Sequence, residues 1–226
     1  MKYYIIHDDR LVERRKNIEK QLERIGATDV EWVTTFPVEQ VKILGKISPI
    51  PLGYISCSMK HYDALNRMIE NNVPEAIIFE DDVIISDLFD TEKIPRLHPY
   101  VKLGRGLMEF YDNSKVYSMK NNTGTEAYFV NQNFARAFLS CIDLGWAVDI
   151  EHYSFLFFNY FLSIPCIPMC SQIFTTTSIT ESKSYFEEND WKTYIFNKHK
   201  TRKWSFKTLV DIIHNGEIPS SDVGSG

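Results

Sequence analysis

The chain has 226 residues, 44% of them apolar and 14% aromatic, enough to fill the core of one large domain. Its formal net charge of −5 gives no global basic field and argues against nucleic acid as a partner. No apolar run reaches the roughly 18 residues of a membrane span, and the opening MKYYIIHDDR lacks the long apolar stretch of a secretory signal, so a cytoplasmic protein is expected.

Lys2 to His7 reads as a strand that ends in His7-Asp8-Asp9. Arg10 to Gly26 reads as a helix, with Leu11, Ile18, Leu22 and Ile25 on one face and Gly26 as its stop. Val30 to Thr34 is a second strand. Pro37, Pro49 and Pro51 make Phe36 to Leu52 an irregular loop. Tyr54 to Asn71 is the next helix, striped by Ile55, Met59, Tyr62, Leu65 and Ile69. Ala76 to Phe79 is a short apolar strand. This alternation predicts an α/β fold with a mainly parallel sheet covered by helices, in which ligands collect beyond the carboxyl ends of the strands.

Further on, Thr91 to Arg105 reads as helix and loop, Leu107 to Tyr111 and Val116 to Met119 as strands, Thr125 to Val130 as another strand and Asn133 to Leu144 as a helix. Asp149 to Leu162 is an aromatic helix, and Ile164 to Ile173 is extended. Cys57, Cys141, Cys166 and Cys170 match no zinc spacing and read as buried free thiols. From Tyr185 on, lysines and arginines alternate with aromatic residues. This is either the solvated face of an amphipathic helix or a patch that meets phosphates or an acidic membrane surface. The organisation expected is a main domain over 1–184, a basic helical extension over 185–219 and a disordered tail over 220–226.

Chemistry concentrates in AIIFEDDVIIS, Ala76 to Ser86, where four apolar residues run into Glu80-Asp81-Asp82. Buried carboxylates cost several kcal/mol unless positive charge meets them. Strand alternation would put Glu80 and Asp82 on one face and Asp81 on the other. Two carboxylates at a strand end suit Mg²⁺ or Mn²⁺, which fill their remaining positions with water and substrate phosphates.

Four stretches in order resemble glycosyltransferase family 25, the group of lipooligosaccharide and collagen β-galactosyltransferases. They are YYIIHDDRLVERR, GYISCSMKHYDALNRMIENNVPEAIIFEDDV, GTEAYFVNQNFARAFL and AVDIEHYSFL. Where the family's opening strand usually ends in Asn-Leu, this chain has Ile6-His7. The resemblance implies a GT-A-like, Rossmann-type fold and transfer of a hexose from a UDP-sugar, with inversion, to a hydroxyl on a glycan, lipooligosaccharide or protein. It implies Asp82 as metal ligand. Glu80 and Asp81 would meet ribose or base, with Glu80 also a possible second ligand. Asp149 would be the general base or a helix N-cap, with Glu126 and Glu151 as rival bases. Arg10 and Arg14 would meet the diphosphate or base, unless they only begin a solvated helix. His61 would be a donor contact or a core histidine, and Gly124 and Thr125 would shape the acceptor side. A non-catalytic sugar- or nucleotide-binding module on the same fold is the alternative. A nucleotidyltransferase would want a glycine-rich loop after the first strand, and His7 to Leu11 has no glycine.

Overall fold

A computed structural model describes residues 1–48, 50–104, 117–119, 125–140, 142–143, 164–172 and 203–219. The chain forms an α/β fold around one large sheet. Strand β1 (Lys2–Ile6) lies between β2 (Asp29–Val33) and β3 (Glu75–Glu80), and both pairings are parallel. Strand β7 (Ala127–Asn131) runs antiparallel to β3 and to β5 (Tyr100–Gly104). Beyond them, β9 (Ile164–Gln172) pairs parallel with β5 and antiparallel with β4 (Val83–Ile85) and β6 (Tyr117–Met119). A two-stranded sheet joins β8 (Ile142–Asp143) to β10 (Lys203–Trp204).

β1 is apolar on both faces because both faces are covered, as parallel strands under helices require. On one face, Tyr3 and Ile5 pack with Ile77, Phe79 and the buried residues Ile18 and Leu22 of helix α1 (Val12–Arg24). On the other, Tyr4 and Ile6 pack with Ala76, Ile78 and helix α2 (Leu52–Glu70), which buries Ile55, Met59, Tyr62 and Leu65. Each such side chain contributes about 1.5–3 kcal/mol by leaving water. The expected stripes thus face the core, except Leu11, which precedes α1 and lines a cleft instead. Gly26 ends α1 with φ +67°, in the left-handed region that glycine enters without steric cost.

Helix α3 (Gln132–Leu139) is capped by Asn131, whose side chain accepts from the Phe134 N–H at 3.0 Å. It ends earlier than its sequence pattern suggests, and Ile142 enters a strand instead. Helix α4 (Phe206–Asn215) is capped by Ser205 and stopped by Gly216 at φ +68°. Its buried Phe206, Leu209 and Ile212 join the same core as α2. The segment Thr91 to Arg105 departs from its helical reading. A single 3₁₀ turn, Thr91–Lys93, leads to β5. Pro99 closes the helical option just before the strand, and β5 is held by its neighbours rather than by its own pattern. The expected loop from Phe36 to Leu52 contains a 3₁₀ helix, Val41–Lys46. The aromatic helix, the strand at Leu107 to Tyr111 and most of the basic segment lie outside the described residues.

Gly104 gives β5 a testable constraint. A Cβ there would run into the Glu126 side chain. Glu126 is 2% exposed and lies 3.8 Å from the equally buried Lys102 ammonium. Gly104→Ala should therefore cost about 1–3 kcal/mol through overpacking, read as a lower urea midpoint at unchanged slope.

Candidate active site

Parallel pairing in register sets Ile6 beside Glu80, so the segments that leave β1 and β3 emerge side by side. The Asp81 N–H donates to the Ile6 carbonyl at 3.1 Å. This brings His7 against Asp81, with Nδ1 2.8 Å from Oδ2. The ionised carboxylate only accepts, so Nδ1–H donates. His7 is 1% exposed and packs edge-on to Trp32 at 5.3 Å.

The first turn of α1 supplies a cation. Arg14 Nη1 donates to Asp81 Oδ1 at 3.0 Å and to Asp82 Oδ2 at 3.2 Å. Arg10 grips Asp8 with two hydrogen bonds, at 2.9 and 2.6 Å. The hydrogen bond from Arg10 holds the Asp8 carboxyl down at about 2. Because this pKa is depressed, the contact contributes fully above the ordinary value of 3.8 and fades as pH falls toward 2.

Glu80 turns elsewhere. Its Oε1 accepts from Thr125 Oγ1 and lies 3.3 Å from His61 Nε2 on α2. Burial alone would raise the Glu80 carboxyl, but the close approach of His61 and the Thr125 hydroxyl outweigh it and leave the pKa lowered. Strand alternation does not continue through the triplet. The strand ends at Glu80, and the chain turns at Asp81 and Asp82. Asp81 and Asp82 consequently share Arg14, whereas Glu80 is paired with α2 and β7, contrary to the expected pairing of Glu80 with Asp82.

One cleft gathers much of this chemistry. His7, Asp8, Arg10, Arg14, Glu80, Asp81 and Asp82 line it, joined by Cys57 and Lys60 from α2. Of the expected donor-side residues, Arg10 and Arg14 thus reach it. His61 is fully buried and sits behind Glu80, with Nδ1 3.0 Å from the Tyr128 hydroxyl. Glu126 is buried against Lys102 and is not among the residues lining the cleft. Asp149, Glu151 and Gly124 lie outside the described residues.

Sequence reasoning missed Lys60 and Cys57. Lys60 is only 5% exposed, an uncommon state for a lysine, and it helps to lower Asp8. The signal was present: Cys57, Lys60 and His61 are three and four residues apart on one helix and so share a face.

Residues 1–103 are similar to glycosyltransferase family 25. The family model that matches them is described as "Glycosyltransferase family 25 (LPS biosynthesis protein)". Every residue lining the cleft, from Ile6 to Asp82, falls inside the family 25 match. The two later stretches that resemble the family lie beyond it. No curated protein matches the sequence. Among solved structures, a glycosyltransferase involved in the glycosylation of the major capsid of PBCV-1 is similar at 11% identity and a TM-score of 0.36. That similarity covers 61% of this chain and 63% of the capsid enzyme, less than two thirds of its length. No helix among the described residues is long and apolar enough to cross a membrane.

Proposed function

We propose that this protein is a GT-A-type inverting glycosyltransferase. It moves a hexose, galactose or glucose, from a UDP-sugar to a hydroxyl on a glycan, a lipooligosaccharide or a protein. The observation that carries this reading is the convergence of Asp81 and Asp82 with Arg10, Arg14 and Lys60 in one cleft of the segment similar to family 25. Transfer with inversion is a single displacement, which needs a base for the acceptor proton and positive charge for the departing diphosphate.

Asp81 and Asp82 present oxygens to one cation position, since a single guanidinium nitrogen reaches both. An all-oxygen donor pair suits a hard ion, so these residues fit Mn²⁺ or Mg²⁺, with Asp82 as the leading ligand. Such an ion supplies charge neutralisation to the leaving diphosphate. Arg10, Arg14 and Lys60 bind and orient the same diphosphate. Glu80, already fixed by Thr125, is placed to meet the ribose or to serve as a second ligand. Asp149 takes the acceptor proton. The basic extension leaves peripheral contact with an acidic membrane open to test.

Metal-dependent donor binding tests the reading. UDP should bind more tightly with Mn²⁺ than with EDTA in calorimetric titration, and Asp82→Ala should erase the difference. Equal affinity in both buffers would remove the metal from the proposal. Hydrolysis of a panel of nucleotide sugars would name the donor.

A further inference from the structure

Cys57 and His61 sit one helical turn apart on α2, and both reach toward Glu80 at the end of β3. Their ligand atoms, Sγ, a ring nitrogen and a carboxylate oxygen, all lie within 4.8 Å of one another. His61 is fully buried, and its Nε2 stands 3.3 Å from Glu80 Oε1, near enough to help lower that carboxyl but not aligned as a hydrogen bond. Two ligands each about 2.0–2.1 Å from one tetrahedral ion would be separated by about 3.3 Å. The His61–Glu80 spacing thus equals the separation of two ligands on one tetrahedral ion.

The surroundings match such a site. Tyr128, also fully buried, meets His61 Nδ1 at 3.0 Å and stacks on the ring at 5.8 Å. When the Tyr128 oxygen accepts from Nδ1–H, the lone pair is left on Nε2, the tautomer a metal needs. Thr125 fixes the Glu80 carboxylate in the same way. Cys57 and Glu80 line the cleft, so a fourth position would open toward substrate or water.

We propose that Cys57, His61 and Glu80 form a three-ligand site for a thiophilic divalent cation of the zinc class. The mixed sulfur, nitrogen and oxygen set separates it from the all-oxygen pair at Asp81 and Asp82. The site stands on its own geometry, and where it is filled Glu80 is taken from the donor side, which keeps Asp81 and Asp82. A cysteine ligates a metal as its thiolate, so the Cys57 thiol gives up its proton on binding. Binding replaces that proton: the S–H bond breaks, the sulfur–metal bond forms and one proton is released to solvent.

Co²⁺ is the spectroscopic probe. Titrated into the full chain, it should give a near-ultraviolet thiolate-to-cobalt band saturating at one ion per chain, and Zn²⁺ should remove it. Cys57→Ser should abolish the band and His61→Gln should weaken binding at least tenfold. Asp82→Ala should leave the band intact while losing metal-dependent UDP affinity, which separates this site from the donor site. In the unaltered protein, Zn²⁺ should slow alkylation of Cys57 as read by mass spectrometry, a measurement that needs no variant to fold. Absence of the band, its persistence in Cys57→Ser, or unchanged alkylation would overturn the proposal and leave a closed His61–Glu80 contact.

Discussion

Asp81→Ala is expected to lower unfolding free energy by about 3 kcal/mol, the low end for removing one partner of a buried ion pair. Asp81 is 5% exposed and accepts from both His7 and Arg14. Its loss strands the His7 N–H in a site that is 1% exposed, where an unmet polar group costs its full desolvation. Arg14 keeps Asp82 as a partner, which holds the penalty near the low end. Asp81→Asn should fall between the two, because its amide oxygen still accepts while the charge is gone. Urea unfolding followed by circular dichroism gives the comparison. A loss below about 1 kcal/mol would mean that the ion pairs contribute little to the fold and that Asp81 serves substrate alone.

Asp149→Asn is expected to reduce turnover by about 10²–10⁴-fold, the range for removing a general base, with UDP affinity unchanged. The sequence reading gives the same residue a second role, the N-cap of the aromatic helix expected over Asp149 to Leu162. A lost cap would cost about 1 kcal/mol of stability and leave turnover nearly intact. Initial rates at saturating donor, measured beside a thermal melt, separate the two roles. Glu126→Gln supplies the contrast. Its buried pairing with Lys102 predicts a larger effect on stability than on turnover.

Local pattern carried far in this chain. The 3.6-residue stripes of α1 and α2 and the apolar runs of β1 and β3 reappear as core-facing residues, since periodicity is a property of neighbouring residues. The acidic triplet was legible as a strand end for the same reason. Its geometry was not. Alternation holds only while the chain stays extended, and the turn at Asp81 and Asp82 breaks it, sending Asp82 to Arg14 and leaving Glu80 to His61. Strand β5 was illegible because YVKLG has no period of its own and owes its extension to β7 and β9.

From sequence alone came the α/β class, the helix stop at Gly26, and the clustering of carboxylates beyond an apolar strand. Only the tertiary structure decided which charges meet. His7 pairs with a carboxylate 74 residues away, and Arg14 spans 67 and 68 residues to reach its two. Such pairings depend on strand register and on the helix laid across it, and neither is written in any window of local sequence.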